Sequence, residues 1–134
     1  YREIQAREAD ALGSPEATAE FLRAALGSRD REIFQVLFLD NANRIRQVET
    51  LFTGTVDQAV VHPREVVAAA LKAGAARVIF AHNHPGGSLR PSSEDRDLTR
   101  RLREACSLVG IEVLDHLIVS DRPGYYSMRE QGEL

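Results

Sequence analysis

The sequence predicts an α/β domain in which a mixed sheet lies between layers of helices. Two observations support this prediction: apolar runs of strand length recur along the chain, and segments with helical patterning separate them. The length of 134 residues suits a single domain. Hydrophobic residues make up 43% of the chain and charged residues 28%, which is typical of a globular protein and not of a disordered or fibrous one.

A helix is predicted first, because Ser14 is a typical N-cap and Pro15 a typical first helical residue. This helix continues to Leu26, and Gly27 ends it. The nearly unbroken apolar run over residues 32–40 then predicts a strand that is buried on both faces. Turn residues at 40–43 lead into two further predicted strands, over residues 44–52 and 55–61.

The second half of the chain alternates between helices and strands. Pro63 opens a helix that Gly74 closes, and residues 77–82 form a central strand. A loop rich in Gly and Pro leads to a long helix over residues 92–109. The apolar stripe predicted for this helix consists of Leu98, Leu102, Ala105, Leu108 and Val109. Strands over residues 111–120 and 125–128 complete the predicted sheet.

Charge and cysteine content exclude several classes of protein. The single cysteine, Cys106, rules out an internal disulfide framework, suits a reducing compartment and is predicted to be a small packed side chain. No apolar run approaches the roughly 20 residues of a membrane span, and the charged start is not a signal peptide. We therefore expect a cytoplasmic protein with no membrane partner.

The most informative segment of the sequence joins the predicted central strand to the long helix. His82 and His84 are two residues apart at the end of the strand, so both imidazoles project from the same face. Asp95 follows eleven residues after His84 (95 − 84), in the first turn of the helix. Two imidazoles and one carboxylate suit zinc, and three protein ligands leave a fourth position for water. We therefore predict one Zn²⁺ per chain, held by these three side chains.

A zinc-activated water also needs a base and a partner for the developing oxyanion. Ser92 lies one helical turn before Asp95, so its hydroxyl is the predicted oxyanion partner. Glu32 is the predicted base, because an acidic residue directly before a buried strand has no evident structural purpose. Glu49 and Glu65 are weaker candidates, and Glu65 also fits the first turn of a helix.

Each of these residues also has a structural interpretation. Ser92 and Asp95 fit the pattern of a capping box, and Glu32 fits a solvated strand end. His116 either orients the metal site from outside or packs as a half-buried histidine, and we favour the second interpretation. The arginines of the long helix form either a basic stripe or an ordinary solvated face, and the solvated face is the default.

The motif resembles that of the JAMM/MPN+ metalloproteases, in which a glutamate precedes His-x-His, seven residues, Ser, two residues and Asp. His82, His84, Ser92 and Asp95 match this spacing without a gap. More narrowly, the chain resembles the RadC-like JAB domain over roughly residues 15–134. The segments that support the resemblance are residues 51–57, 61–66, 81–87 and 114–119.

The resemblance implies a cytidine-deaminase-like JAB/MPN fold over residues 14–134. Residues 1–13 are then an N-terminal extension or the end of an upstream region. The resemblance places the metal on His82, His84 and Asp95, the supporting serine on Ser92 and the upstream glutamate on Glu32. The glycine-rich strand that follows this glutamate in eukaryotic deubiquitinating relatives is absent, which argues against ubiquitin-type substrates.

Three hypotheses about function follow. The leading one is a zinc-dependent hydrolase, a metallopeptidase or isopeptidase in which metal-activated water attacks an amide carbonyl. The alternative, suggested by the label "DNA repair protein RadC" that members of the family carry, is a metal-dependent nuclease or DNA-binding accessory domain. In the third, the metal site serves structure or partner docking.

The charge balance favours a peptide or protein as the partner. The chain has 17 Lys and Arg against 20 Asp and Glu, and this net charge of −3 does not support binding to nucleic acid. The sequence does not define an oligomeric state.

Overall fold

The computed structural model describes residues 14–26, 31–54 and 61–134. Helices and strands alternate along these residues. The helices are α1 (Pro15–Leu26), α2 (Pro63–Ala73) and α3 (Ser93–Leu108). The strands are β1 (Glu32–Leu39), β2 (Ile45–Gly54), β3 (Arg77–Asn83), β4 (Glu112–Val119) and β5 (Tyr126–Ser127).

The strands form one mixed sheet with the order β2-β1-β3-β4-β5. β1 runs antiparallel to both of its neighbours, β2 and β3. β3 and β4 are parallel, and α3 makes the crossover between them. β3 is therefore the central strand, and its carboxyl end leads directly into the loop before α3.

Side chains on the two faces of the sheet enter two separate cores. On β1, Phe34, Val36 and Phe38 pack on one face together with buried residues of α2 and α3. Leu37 and Leu39 pack on the other face, against α1. This alternation along one strand gives the three-layer arrangement of helix, sheet and helix that the sequence predicts.

Local signals at the element ends are confirmed where the structure describes them. Ser14 Oγ accepts a hydrogen bond of 3.2 Å from the Ala17 N–H at the start of α1. Gly74 ends α2 in the left-handed conformation with φ of 67°, which glycine adopts without strain. The predicted end of α1 at Gly27, most of the predicted strand over 55–61 and the predicted extension over 1–13 lie outside the described residues.

The predicted apolar stripe of α3 is partly wrong. Leu98, Leu102 and Cys106 form the buried line of the helix, whereas Leu108 is 88% exposed. Leu108 follows Leu102 by six residues and so lies about 120° away from it around the helix axis. Val109, the C-cap residue, is also exposed, because the helix ends there.

None of the helices in the described ranges has the length and apolar character that a membrane span requires.

Candidate metal centre

Two histidines from the end of the central strand begin the site. His82 lies on the face of β3 that carries Phe80, and it is 1% exposed. His84 follows the end of the strand, and its backbone N–H donates to the Val119 carbonyl, which continues the pairing with β4. The Nε2 atoms of the two rings are 2.9 Å apart. The two imidazoles therefore converge, as the sequence predicts.

Asp95 brings a carboxylate to the same point from the first turn of α3. Its Oδ2 lies 3.5 Å from Nε2 of His82 and 3.4 Å from Nε2 of His84. Burial raises the pKa of this carboxyl, but the two neighbouring imidazoles and the hydrogen bond from the Ser92 N–H outweigh burial, and the net pKa lies well below its usual range. Asp95 therefore stays ionised, which is the form that binds a cation.

The capping box is also present, which confirms the structural interpretation of Ser92 and Asp95. Ser92 Oγ accepts a hydrogen bond of 3.0 Å from the Asp95 N–H. In return, Asp95 Oδ2 accepts one of 2.9 Å from the Ser92 N–H. This second bond fixes the carboxylate oxygen that faces the histidines, so the cap positions the site.

The donor set fits a metal ion. One ligand atom from each of His82, His84 and Asp95 lies within 4.8 Å of the others, and within the described ranges this is the only such group. Nδ1 of His84 is 2.8 Å from the Ser88 carbonyl. Because a carbonyl can only accept, the His84 ring carries a proton on Nδ1, and its Nε2 faces His82 and Asp95. The group could bind a metal ion, and two imidazoles with one carboxylate are ligands that suit zinc.

Glu32 lies at the start of β1, next to the histidines. Phe34 pairs with His82 in the antiparallel register of β1 and β3. When this register is continued by two residues, Glu32 lies level with His84. Burial raises the pKa of the Glu32 carboxyl, and the nearby imidazoles only partly offset this effect. The structure therefore brings the predicted base to the side of the group, and its role remains a proposal.

The other candidate bases lie away from the histidines. Glu49 pairs with Val36 on the edge strand β2, so β1 separates it from β3. Glu65 is exposed in the first turn of α2. Neither has a position comparable with that of Glu32.

Asn83 was not singled out in the sequence, yet it fixes the backbone around Glu32. Its Oδ1 accepts a hydrogen bond of 2.7 Å from the Ile33 N–H, and its Nδ2 donates one of 3.0 Å to the Arg31 carbonyl. Asn83 is fully buried on the face of β3 opposite to His82. It therefore holds the residues on both sides of Glu32.

His116 has closer contact with the site than the favoured structural interpretation implies. It lies on β4 opposite Phe80, and its Nε2 is 2.6 Å from Nδ1 of His82. Its Nδ1 is within hydrogen-bond distance of Thr99 Oγ1, on α3. Burial holds the pKa of the His116 imidazole well below its usual range, so the ring is neutral.

The neighbouring Asp115 serves the C-terminal strand instead. Its Oδ2 accepts from the Ser127 hydroxyl, and its Oδ1 accepts a bond of 3.1 Å from the Arg129 N–H. The two successive residues of β4 therefore act on different parts of the fold: Asp115 anchors β5, and His116 contacts His82.

The five-stranded mixed sheet, its three helices and the group of two histidines and an aspartate define an α/β protein with a JAB/MPN-like fold. The profile of the RadC-like JAB domain matches residues 12–133. The chain belongs to the RadC-like JAB domain family, which confirms the resemblance. Membership of this family indicates a protein of the metal-dependent hydrolase kind.

Bacterial relatives match most of the chain. The "UPF0758 protein" of Vibrio cholerae serotype O1 is 54% identical over 112 residues, which are 84% of this chain and 71% of that protein. The "UPF0758 protein" of Cellvibrio japonicus is 54% identical over 125 residues, 93% of this chain and 55% of that protein. The "UPF0758 protein" of Marinobacter nauticus is 54% identical over 113 residues, 84% of this chain and 50% of that protein. The chain spans about half the length of the last two.

Proposed function

We propose that the domain is a zinc-dependent hydrolase that cleaves an amide bond of a peptide or protein, as a metallopeptidase or isopeptidase. The observation that carries this proposal is the convergence of His82, His84 and Asp95 with Glu32 beside them. A zinc ion held by the three ligands would act as a Lewis acid on the scissile carbonyl and lower the pKa of a water molecule toward 7.

The residues of the chain supply the proton chemistry and the positioning. Glu32 takes a proton from the attacking water and delivers it to the leaving amine. Its raised pKa strengthens it as a base toward neutral pH. The Ser92 Oγ accepts from the Asp95 N–H, so its own hydrogen remains free to donate to the developing oxyanion.

The test measures zinc content and peptide hydrolysis on the same purified samples, with an internally quenched peptide library as the substrate. We expect about one zinc per wild-type chain and measurable cleavage. His84→Ala should lose both zinc and cleavage, because it removes a ligand. Glu32→Gln should keep zinc and lose about 10²- to 10⁴-fold in turnover, because it removes only the base.

Two matched variants control for loss of a histidine or a glutamate elsewhere. His62→Ala replaces the N-cap residue of α2, whose side chain makes no capping hydrogen bond. Glu65→Gln neutralises an exposed glutamate in the first turn of the same helix. Both should keep zinc and turnover. Equal zinc in wild type and His84→Ala, or a wild-type protein that cleaves nothing in the library, would contradict the proposal.

Our proposal of a peptide or protein partner over nucleic acid rests on charge. The four arginines of α3, Arg96, Arg100, Arg101 and Arg103, are exposed. Arg96 pairs with Glu133 at 2.8 Å, and Arg100 pairs with Asp97 at 3.3 Å. Two positive charges of this helix are thus offset by neighbouring acids, in a chain with a net charge of −3.

A further inference from the structure

A chain of hydrogen bonds connects a third histidine to the metal centre. His116 is fully buried, with Nε2 2.6 Å from Nδ1 of His82. On its other side, Nδ1 of His116 is 2.5 Å from Thr99 Oγ1. The Thr99 hydroxyl is also 2.8 Å from the backbone carbonyl of Asp95, one turn earlier in α3. This series of hydrogen bonds therefore begins at the backbone of Asp95 and ends at the side chain of His82, both proposed ligands.

The direction of every proton in this series of hydrogen bonds follows from its first member and from the neutral state of the fully buried His116 ring. A backbone carbonyl can only accept, so the single hydrogen of the Thr99 hydroxyl goes to Asp95. Thr99 Oγ1 must then accept from Nδ1–H of His116. A neutral imidazole has one N–H and one lone pair, so Nε2 of His116 accepts from Nδ1–H of His82.

The consequence is that Nε2 of His82 carries a lone pair. This atom is the one that faces Nε2 of His84 and Oδ2 of Asp95. The Ser88 carbonyl has the same effect on His84, because it receives the Nδ1 proton of that ring. In their neutral forms, both histidines thus present unprotonated nitrogens to the same point, which is the form that binds a metal.

We propose that Thr99 and His116 are positioning residues that hold the proton of His82 on Nδ1 and thereby prepare its Nε2 as a ligand. This inference rests on the proposed function, because it takes the group of His82, His84 and Asp95 as the metal site. It adds two residues behind His82: His116 on the neighbouring strand, β4, and Thr99 on α3, the helix that follows the site.

A purely structural role for His116 makes a different prediction. Its ring packs edge-on against Phe34 and Phe80, with ring centroids 5.7 and 6.0 Å away. If packing were its whole role, an aromatic ring without nitrogens at position 116 would keep the zinc affinity, and loss of the Thr99 hydroxyl would act only through its bond to the Asp95 carbonyl. If instead the hydrogen bonds orient His82, loss of the Thr99 hydroxyl lets the proton of His82 and the proton of His116 each move to the other nitrogen of its ring. Nε2 of His82 then carries a hydrogen.

The experiment measures Zn²⁺ affinity by competition with a chromophoric chelator. Thr99→Val keeps the shape of the side chain and removes the hydroxyl, and we expect zinc to bind about 10- to 100-fold more weakly. Thr99→Ser restores the hydroxyl and should restore the affinity. His116→Phe keeps an aromatic ring without nitrogens and should weaken binding as Thr99→Val does.

Thr18 provides a matched control on another helix. Its hydroxyl also donates to the carbonyl four residues earlier, that of Ser14 at 3.1 Å, and the residue is 2% exposed. Thr18→Val removes the same kind of helical hydrogen bond away from the site and should leave Zn²⁺ affinity unchanged. Wild-type affinity in Thr99→Val, or an equal loss in Thr18→Val, would overturn the proposal.

A second measurement needs neither zinc nor substrate. Long-range ¹H–¹⁵N spectra of the metal-free protein, at a pH where all four histidines are neutral, distinguish protonated from unprotonated ring nitrogens. We expect protons on Nδ1 of His82, His84 and His116, and a shift of the His82 proton to Nε2 in Thr99→Val. A wild-type His82 with its proton on Nε2 would refute the inference.

The two proposals fail separately. A wild-type protein that binds zinc but hydrolyses no peptide would remove the proposed function and leave the affinity comparison valid. A wild-type protein that binds no zinc would remove the proposed function as well, and the nitrogen spectra would still decide where the proton of His82 resides.

Discussion

Asn83 lies between the two histidines in sequence, and its side chain occupies the opposite face of β3. There it bonds to the backbone on both sides of Glu32. The His-x-His segment thus has two roles: the outer residues belong to the candidate metal site, and the middle residue fixes the adjacent strand that supplies the proposed base. Both depend on the antiparallel register of β1 with β3.

We expect Asn83→Ala to destabilise the protein and to impair the base. The substitution leaves the Ile33 N–H without its partner in a buried setting, which costs about 1–3 kcal/mol. Urea denaturation measures this loss, and Asn41→Ala, in the exposed turn after β1, should change stability by less than about 0.5 kcal/mol. Zinc content should stay at the wild-type level while turnover falls. Loss of zinc equal to that of His84→Ala would show that Asn83 acts on the ligands and not on Glu32.

At the scale of elements, the start of α3 combines a helix cap with the candidate metal centre. Ser92 caps the helix through Oγ, and its backbone N–H holds Oδ2 of Asp95. A substitution at Ser92 therefore affects the stability of the helix and the proposed chemistry together. Alanine and glycine separate the two effects, because glycine is nearly as good an N-cap as serine and alanine is not.

We expect Ser92→Ala to cost about 1 kcal/mol of stability and Ser92→Gly only a few tenths, while the backbone bond to Asp95 persists in both. If the hydroxyl donates to the oxyanion, turnover should fall about 10²- to 10³-fold in both variants. Denaturation curves and peptide hydrolysis measure the two effects. Turnover that falls in the alanine variant and stays normal in the glycine variant would mean that the serine acts as a cap alone.

The elements and the convergence of the candidate metal ligands could be predicted because their signals are local. Ser14 and Gly74 mark helix ends through short-range geometry, and His82, His84 and Asp95 are joined by a single strand–loop–helix segment. The contact between His116 and His82 could not be predicted in this way. It depends on the parallel register of β3 and β4, which the packing of the whole sheet determines and no local pattern encodes.

The exposed end of α3 has a similar cause. Leu108 matches an apolar pattern, but only the position of the helix on the sheet decides which of its residues are covered. Cys106 belongs to the covered line, and burial raises the pKa of its thiol to about 11. It is the packed side chain that the sequence predicts and not a nucleophile.

At the scale of the whole molecule, the candidate metal centre lies where three parts of the fold meet. β3 supplies His82, α3 supplies Asp95, and β1 supplies Glu32. Each of these elements is also held by one or both hydrophobic cores, which pack on the two faces of the sheet. We therefore expect the fold to persist when the proposed ion is removed. The hypothesis of a purely structural metal predicts the opposite.

Removal of zinc by a chelator should lower the melting temperature and leave the protein folded. An ion that binds only the folded state stabilises it by RT ln(1 + [Zn²⁺]/Kd), or about 2.7 kcal/mol at a free concentration one hundred times Kd. Thermal unfolding followed by circular dichroism, with and without chelator, measures this difference. His84→Ala should melt as the chelated wild type does and should not respond to zinc. If chelation instead abolished the cooperative transition, the two cores would be insufficient to hold the sheet, and the ion would be a structural element of the fold.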